Sequence, residues 1–173
     1  MPSQHRDLSL AEWTVLAVVD EEPAHGFAVA ALTARGAELG RVWQIPRPVV
    51  YRSIGRLEKL GLVVEVGEEQ GRGPRRQIVA ATEEGSAEVS QWLVTPVLHV
   101  RDVRSQLLMK LALLDRRGDD PAQLLEEQRT LLVPIVAAID EQPDGVGFDA
   151  TLHAWRRAAA RSTLEFLDRL AGH

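Results

Sequence analysis

Residues 46–63, PRPVVYRSIGRLEKLGLV, carry Arg47, Tyr51, Arg52, Arg56 and Lys59 between apolar residues at helical spacing. A second basic group follows in GRGPRR, with Arg72, Arg75 and Arg76. Guanidinium groups suit oxyanions. Their planar fork meets phosphate with parallel hydrogen bonds and can also bond guanine O6 and N7 together. The chemistry on offer is recognition of a polyanion. From Arg41 to Arg76 there are eight Arg or Lys against four Glu, a net +4, which leaves −9 for the rest of a chain totalling −5. A basic patch on an acidic body is either an electrostatic footprint or a solvated face.

Other chemistries find little support. The chain has no cysteine, which excludes disulfides, thiolate metal sites and thiol catalysis. His5, His25, His99, His153 and His173 show no metal-ligand spacing, and no nucleophile elbow, P-loop or dinucleotide glycine pattern occurs. No enzyme activity, cofactor or metal is expected. The N-terminus lacks an apolar signal core and no long apolar run exists, so a cytoplasmic protein without a membrane span is the reading. With 173 residues and 45% hydrophobic content, one or two small domains are expected.

The elements that must hold the arginines read as follows. Ser9 and Glu12 form a capping box, with Leu8 placed to staple onto Trp13. Trp13, Leu16, Ala17 and Val19 make the inner face of this first helix. A second helix starts near His25-Gly26-Phe27 and fades around Gly36 to Gly40. A third begins at the prolines, with Pro48 at N1, and puts Val50, Ile54 and Leu57 inward. Arg52, Arg56 and Lys59 share another face, and Gly61 is the C′ residue. Residues 62–66 and 75–80 read as strands joined by a turn that places Arg72 near the tip. Thr82 caps a fourth helix running to about Val94. Further helices cover about 100–115, a long segment from Asp120-Pro121 that Pro134 should kink or divide, and about 149–170.

Three short helices and a β-hairpin describe the winged helix form of helix-turn-helix. In that arrangement the third helix enters the major groove and the wing follows phosphate. The expected fold is mainly α (α+β). Residues 1–95 would form a winged helix-turn-helix DNA-binding domain, and residues 96–173 a helical dimerisation and candidate effector-binding domain. A winged helix used only for protein interaction, without direct DNA binding, is the alternative. It would need apolar anchors where the third helix carries charge.

Residues 8–94 resemble the PadR family of bacterial transcriptional regulators. The resemblance lies in Leu8-Ser9, Glu12 and Val15-Leu16, in His25-Gly26-Phe27, and in Val50-Tyr51 with Leu57-Glu58-Lys59-Leu60-Gly61-Leu62-Val63. It continues through Gly73-Pro74-Arg75-Arg76, Ala81-Thr82-Glu83-Glu84-Gly85 and Trp92-Leu93. It implies a homodimeric winged helix regulator, usually a repressor, that binds double-stranded DNA at a palindromic operator. It implies that Tyr51, Arg47, Arg52, Arg56 and Lys59 contact DNA, assisted by Arg72, Arg75 and Arg76, with Gly26 approaching a phosphate. Two departures stand out: prolines at 46 and 48 where the family has small residues, and no Tyr at the end of the returning wing strand.

The second half matches only in length and helicity. Leu107, Leu108, Leu111, Leu114, Trp155, Phe166 and Leu170 offer more apolar surface than a small domain needs, which points to a homodimer. The resemblance further implies a small aromatic or hydrophobic effector. Trp92 and Trp155 would line its site, unless each is ordinary core.

Overall fold

The computed structural model describes residues 7–70 and 75–172. Two compact units divide the chain: one holds residues up to Leu93 together with Met109–Gly118, the other Val94–Leu108 and Asp119 onward.

The first unit opens with α1 (Leu10–Glu21), started by the expected capping box. The Ser9 backbone N–H and hydroxyl donate to Glu12 Oε2 at 2.7 and 2.9 Å, and the Ser9 hydroxyl accepts from the Glu12 N–H at 3.3 Å. Leu8 and Trp13 are both buried, as a staple requires. A two-residue strand, β1 (Ala24–His25), leads straight into α2 (Gly26–Leu32). The sequence pattern carried that helix further. It stops at Leu32, and residues 33–42 become turns around fully buried Leu39, with the Thr33 hydroxyl donating to the Val29 carbonyl at 3.1 Å.

α3 (Arg47–Lys59) follows, with Pro46 as N-cap. Arg47 takes N1 and Pro48 falls at N2, one place later than its spacing suggested. The shift costs little, because the first four N–H groups of a helix lack intrahelical partners anyway. At the other end Gly61 adopts φ +74°, a left-handed conformation closed to most L-residues. The Gly61 N–H donates to the Glu58 carbonyl and the Leu62 N–H to the Leu57 carbonyl, both at 3.0 Å. These two bonds make a Schellman motif, sealed by fully buried Leu57 and Leu62.

The chain then forms the wing from β2 (Val63–Glu69) and β3 (Arg76–Ala81), in an antiparallel sheet ordered β1-β3-β2. Pairing runs from Val63↔Ala81 to Glu69↔Arg76, with a bulge between Glu65 and Gly67. The bulge lets β2 extend three residues past the apolar run that marked it in the sequence. Thr82 caps α4 (Glu83–Val94) by accepting from the Gly85 N–H at 3.1 Å.

Trp13 of α1 and Trp92 of α4 stack at 5.2 Å between centroids, with planes 4° apart. The same unit takes α6 (Leu108–Arg117) from Met109 onward. Arg116 meets Glu21 at 2.8 Å and Glu38 at 2.6 Å, and Arg117 meets Asp20 at 2.8 Å. These pairs and buried Leu113 and Leu114 bind the helix to the winged helix core. The result is a three-helix and hairpin fold whose inner face fixes α3 and leaves its outer face to solvent.

The second unit holds α5 (Val100–Asp102), continued by a π-helical turn over Val103–Leu107, then α7 (Ala122–Asp140) and α8 (Phe148–Leu170). α7 starts one residue later than its Asp-Pro signal, with the Asp120 carboxylate accepting from the Ala122 N–H at 2.9 Å. Pro134 does not divide α7, which runs unbroken past it. Pro134 and Thr130, whose carbonyl loses its usual donor, are both exposed, so that carbonyl is open to solvent. α7 and α8 lie antiparallel, tied by Arg129–Asp168 at 2.7 Å and Arg161–Asp140 at 3.0 Å. Gln128 is fully buried, and its amide accepts from the Val97 N–H at 2.7 Å and donates to the Val97 carbonyl at 2.9 Å.

Candidate nucleic-acid interface

Each turn of α3 is anchored from beneath. Val50, Ile54 and Leu57 are buried, as the helical spacing required, and Ser53 is buried with them. Arg47, Tyr51, Arg52, Arg56 and Lys59 are exposed on the remaining surface. Arg52 and Lys59 have no ion-pair partner among the described residues, so both cations are available to an anion.

Arg56 is placed differently. Its Nη1 donates to both oxygens of Glu12 at 2.9 and 3.0 Å, and its Nη2 donates to the Asp7 carbonyl at 3.2 Å. Glu12 is nearly enclosed at 6% exposure and already accepts both Ser9 bonds. Arg56 therefore completes the shell of a buried carboxylate and ties α3 to α1. A capping box predicts the position of Glu12; nothing in the local pattern predicts a partner 44 residues away.

A second group gathers at the start of α3. Tyr51 lies over Gly26: a Cβ on that glycine would sit 2.8 Å from the Tyr51 ring. Gly26 is thus buried beneath the tyrosine rather than presented to solvent. Next to it, Phe27 projects outward. The Arg47 guanidinium lies 5.1 Å from the Phe27 ring centre and 5.6 Å from that of Tyr51. Arg76, from the start of β3, lies 4.8 Å from the same Phe27 ring. His25 caps α2 by accepting the Ala28 N–H on Nδ1 at 2.9 Å, which leaves the ring proton on Nε2, 3.0 Å from Glu69 Oε2. These residues line a cleft of about 480 Å³ together with Arg75 and Gln77.

The wing contributes unevenly. Arg75 is exposed and meets Glu68 at 3.1 Å, while the Gln77 amide donates to Glu58 and Glu65. Arg72 lies outside the described residues. Phe27 and His25 were absent from the candidates drawn from residue type alone. Their signals were position, at the start of a helix on either side of a glycine, and the place of His25-Gly26-Phe27 in the family resemblance.

Trp92 belongs to the first unit and Trp155 to the second. Trp92 is buried at 4% exposure between Trp13 and Lys110, whose ammonium lies 4.9 Å from its ring. Burial lowers the Lys110 pKa to about 7. Trp155 is 69% exposed in the second unit. It borders an open groove of about 620 Å³ whose apolar lining includes Val103, Ile139 and Phe166, rimmed by Arg101, Arg104 and Arg156. Among the described residues no cluster of metal-ligating side chains occurs, and no helix is long and apolar enough to cross a membrane.

A winged helix whose third helix is anchored inward and basic outward defines a class: the winged helix transcriptional regulators. Within that class, residues 15–91 match the sequence model of the transcriptional regulator PadR-like family. Among solved structures, the chain is similar to Bacillus subtilis PadR in complex with operator DNA, at 14% identity over 92% of this chain and 97% of that one, TM-score 0.47. It is also similar to smu.1604c from Streptococcus mutans UA159, at 17% identity over 94% and 98%, TM-score 0.43. A third likeness is to the PadR-like regulator BC1756 from Bacillus cereus, at 16% identity over 92% and 98%, TM-score 0.41. No curated protein matches the sequence.

Proposed function

We propose that the protein is a homodimeric, sequence-specific DNA-binding repressor released by a small hydrophobic or aromatic effector. The observation that carries this reading is the outer face of α3, where Arg47, Tyr51, Arg52 and Lys59 stand exposed on a helix locked from beneath by Val50, Ile54 and Leu57. Arg52 and Lys59 project from the middle and end of the helix, where base edges and flanking phosphates would be met. Arg47, Arg75 and Arg76 border the wing and would neutralise backbone charge. A dimer bound across a promoter blocks it sterically, which is repression.

The second unit supports the finer points. Of the apolar residues expected to face a second copy, Leu107 and Leu114 are buried in their own units, while Trp155 and Leu170 stay exposed in the second unit for a second copy to cover. The groove beside Trp155 suits an apolar molecule, and its arginine rim favours one that carries negative charge.

Selection of fragments from random duplex DNA by the purified protein tests the central claim. A recovered palindrome, bound with affinity that falls steeply with salt at roughly −0.9 per phosphate neutralised, is the expected result. Absence of enrichment, or binding indifferent to salt, would favour a protein-interaction module instead. Light scattering after size exclusion tests the dimer; a stable monomer at micromolar concentration would refute it.

A further inference from the structure

We propose that Phe27 is a positioning residue that holds Arg47 and Arg76 as a paired clamp for one backbone phosphate of bound DNA. The inference rests on the DNA-binding reading above and assigns a role to a residue that reading leaves idle.

Phe27 is a large apolar ring kept half exposed at the start of α2, outside the core. Burial gives it no reason to be aromatic. What surrounds it does. Arg47 opens α3 and Arg76 opens β3, and the fold brings both guanidinium carbons to 5.1 and 4.8 Å from this one ring centre. The face of an aromatic ring attracts a guanidinium through its quadrupole. Two cations at one ring repel each other, so the arrangement is improved by an anion placed between them. An arginine restrained in advance also loses less rotamer freedom when it binds.

The neighbouring acids each have a partner of their own. Glu69 lies against His25 Nε2 and Glu68 against Arg75. The cleft these groups border lies between α3 and the wing, where a strand leaving the major groove would present its phosphodiester. A phosphodiester carries a single charge on paired oxygens, which two guanidinium forks lining one cleft can meet together.

The test uses the full-length protein and the duplex it selects, with affinity read by fluorescence anisotropy over a range of salt. Phe27→Leu should weaken binding roughly three- to tenfold, and Phe27→Tyr should restore it. In an Arg47→Ala/Arg76→Ala background, Phe27→Leu should change nothing further, because there is no pair left to position. The arginine Nε–H resonances of residues 47 and 76 should lie upfield in the wild type and return to ordinary positions in Phe27→Leu. Wild-type affinity in Phe27→Leu, an equal loss in the double-alanine background, or resonances without a ring shift would each overturn the clamp. If the wild type selects no DNA at all, the regulator reading itself falls; a Phe27→Leu variant that binds like a DNA-binding wild type removes only this inference.

Discussion

Arg52 and Arg56 share one face of α3 by spacing, yet substituting them should have opposite consequences. Arg56→Ala removes a guanidinium that makes two bonds to Glu12 and one to the Asp7 carbonyl. The carboxylate left behind is 6% exposed and keeps only its Ser9 donors. Hydrogen bonds to charged groups contribute about 1.5–3 kcal/mol each, and an under-satisfied buried acceptor adds a penalty. The Arg56 side chain is itself 51% exposed, so solvent screens part of that gain. A loss of about 1–2 kcal/mol of folding stability results. For a chain of this size that lowers the melting temperature by roughly 2–8 °C. Arg52→Ala leaves no buried group unsatisfied and should melt like the wild type. Against the selected duplex it should cost about 1–3 kcal/mol and relax preference at one base position. Thermal melts and anisotropy titrations on matched and mismatched duplexes separate the two. If Arg56→Ala melts like the wild type but loses base discrimination, Arg56 reads DNA and the tie to Glu12 is incidental.

Other perturbations follow from the same geometry. The lowered Lys110 pKa means that between about pH 7 and 10.5 the unfolded chain holds a proton the native state has released. Stability should therefore rise with pH across that window, and Lys110→Met should flatten the rise in urea melts and stabilise the protein at pH 7 and below. A wild-type curve without that slope would contradict it. Gly26→Ala would push a methyl to within 2.8 Å of the Tyr51 ring, so Tyr51 must move. DNA affinity should drop several-fold, and stability should fall by about 1–3 kcal/mol because the methyl also presses on buried Ile54; unchanged affinity would show that the Tyr51 position is irrelevant. Trp155→Phe should abolish fluorescence quenching by planar aromatic acids, whereas Trp92→Phe should not; the reverse would move the effector site to the first unit.

Much of the local structure was legible in the sequence because local rules specify it. The capping box at Ser9 and Glu12, the inward triplet of α3, the glycine that ends it and the hairpin after it all follow from spacings within a turn or two. Local rules missed two points: α2 ends at Leu32, and α7 runs through Pro134 at an exposed position. The basic candidates were recognisable as a set, since residue type and helical phase say which side chains face outward.

What each outward side chain then does was a tertiary decision. Periodicity assigns a face but names no partner across the chain. Arg56 met Glu12, Arg47 and Arg76 met Phe27, Tyr51 covered Gly26, and Trp92 stacked on Trp13. By itself the sequence determined a winged helix with a basic third helix on an acidic body. Only the folded chain divided that basic set into cations held for the protein and cations left for an anion, because ion pairing depends on which helices close upon one another and not on the order of residues within them.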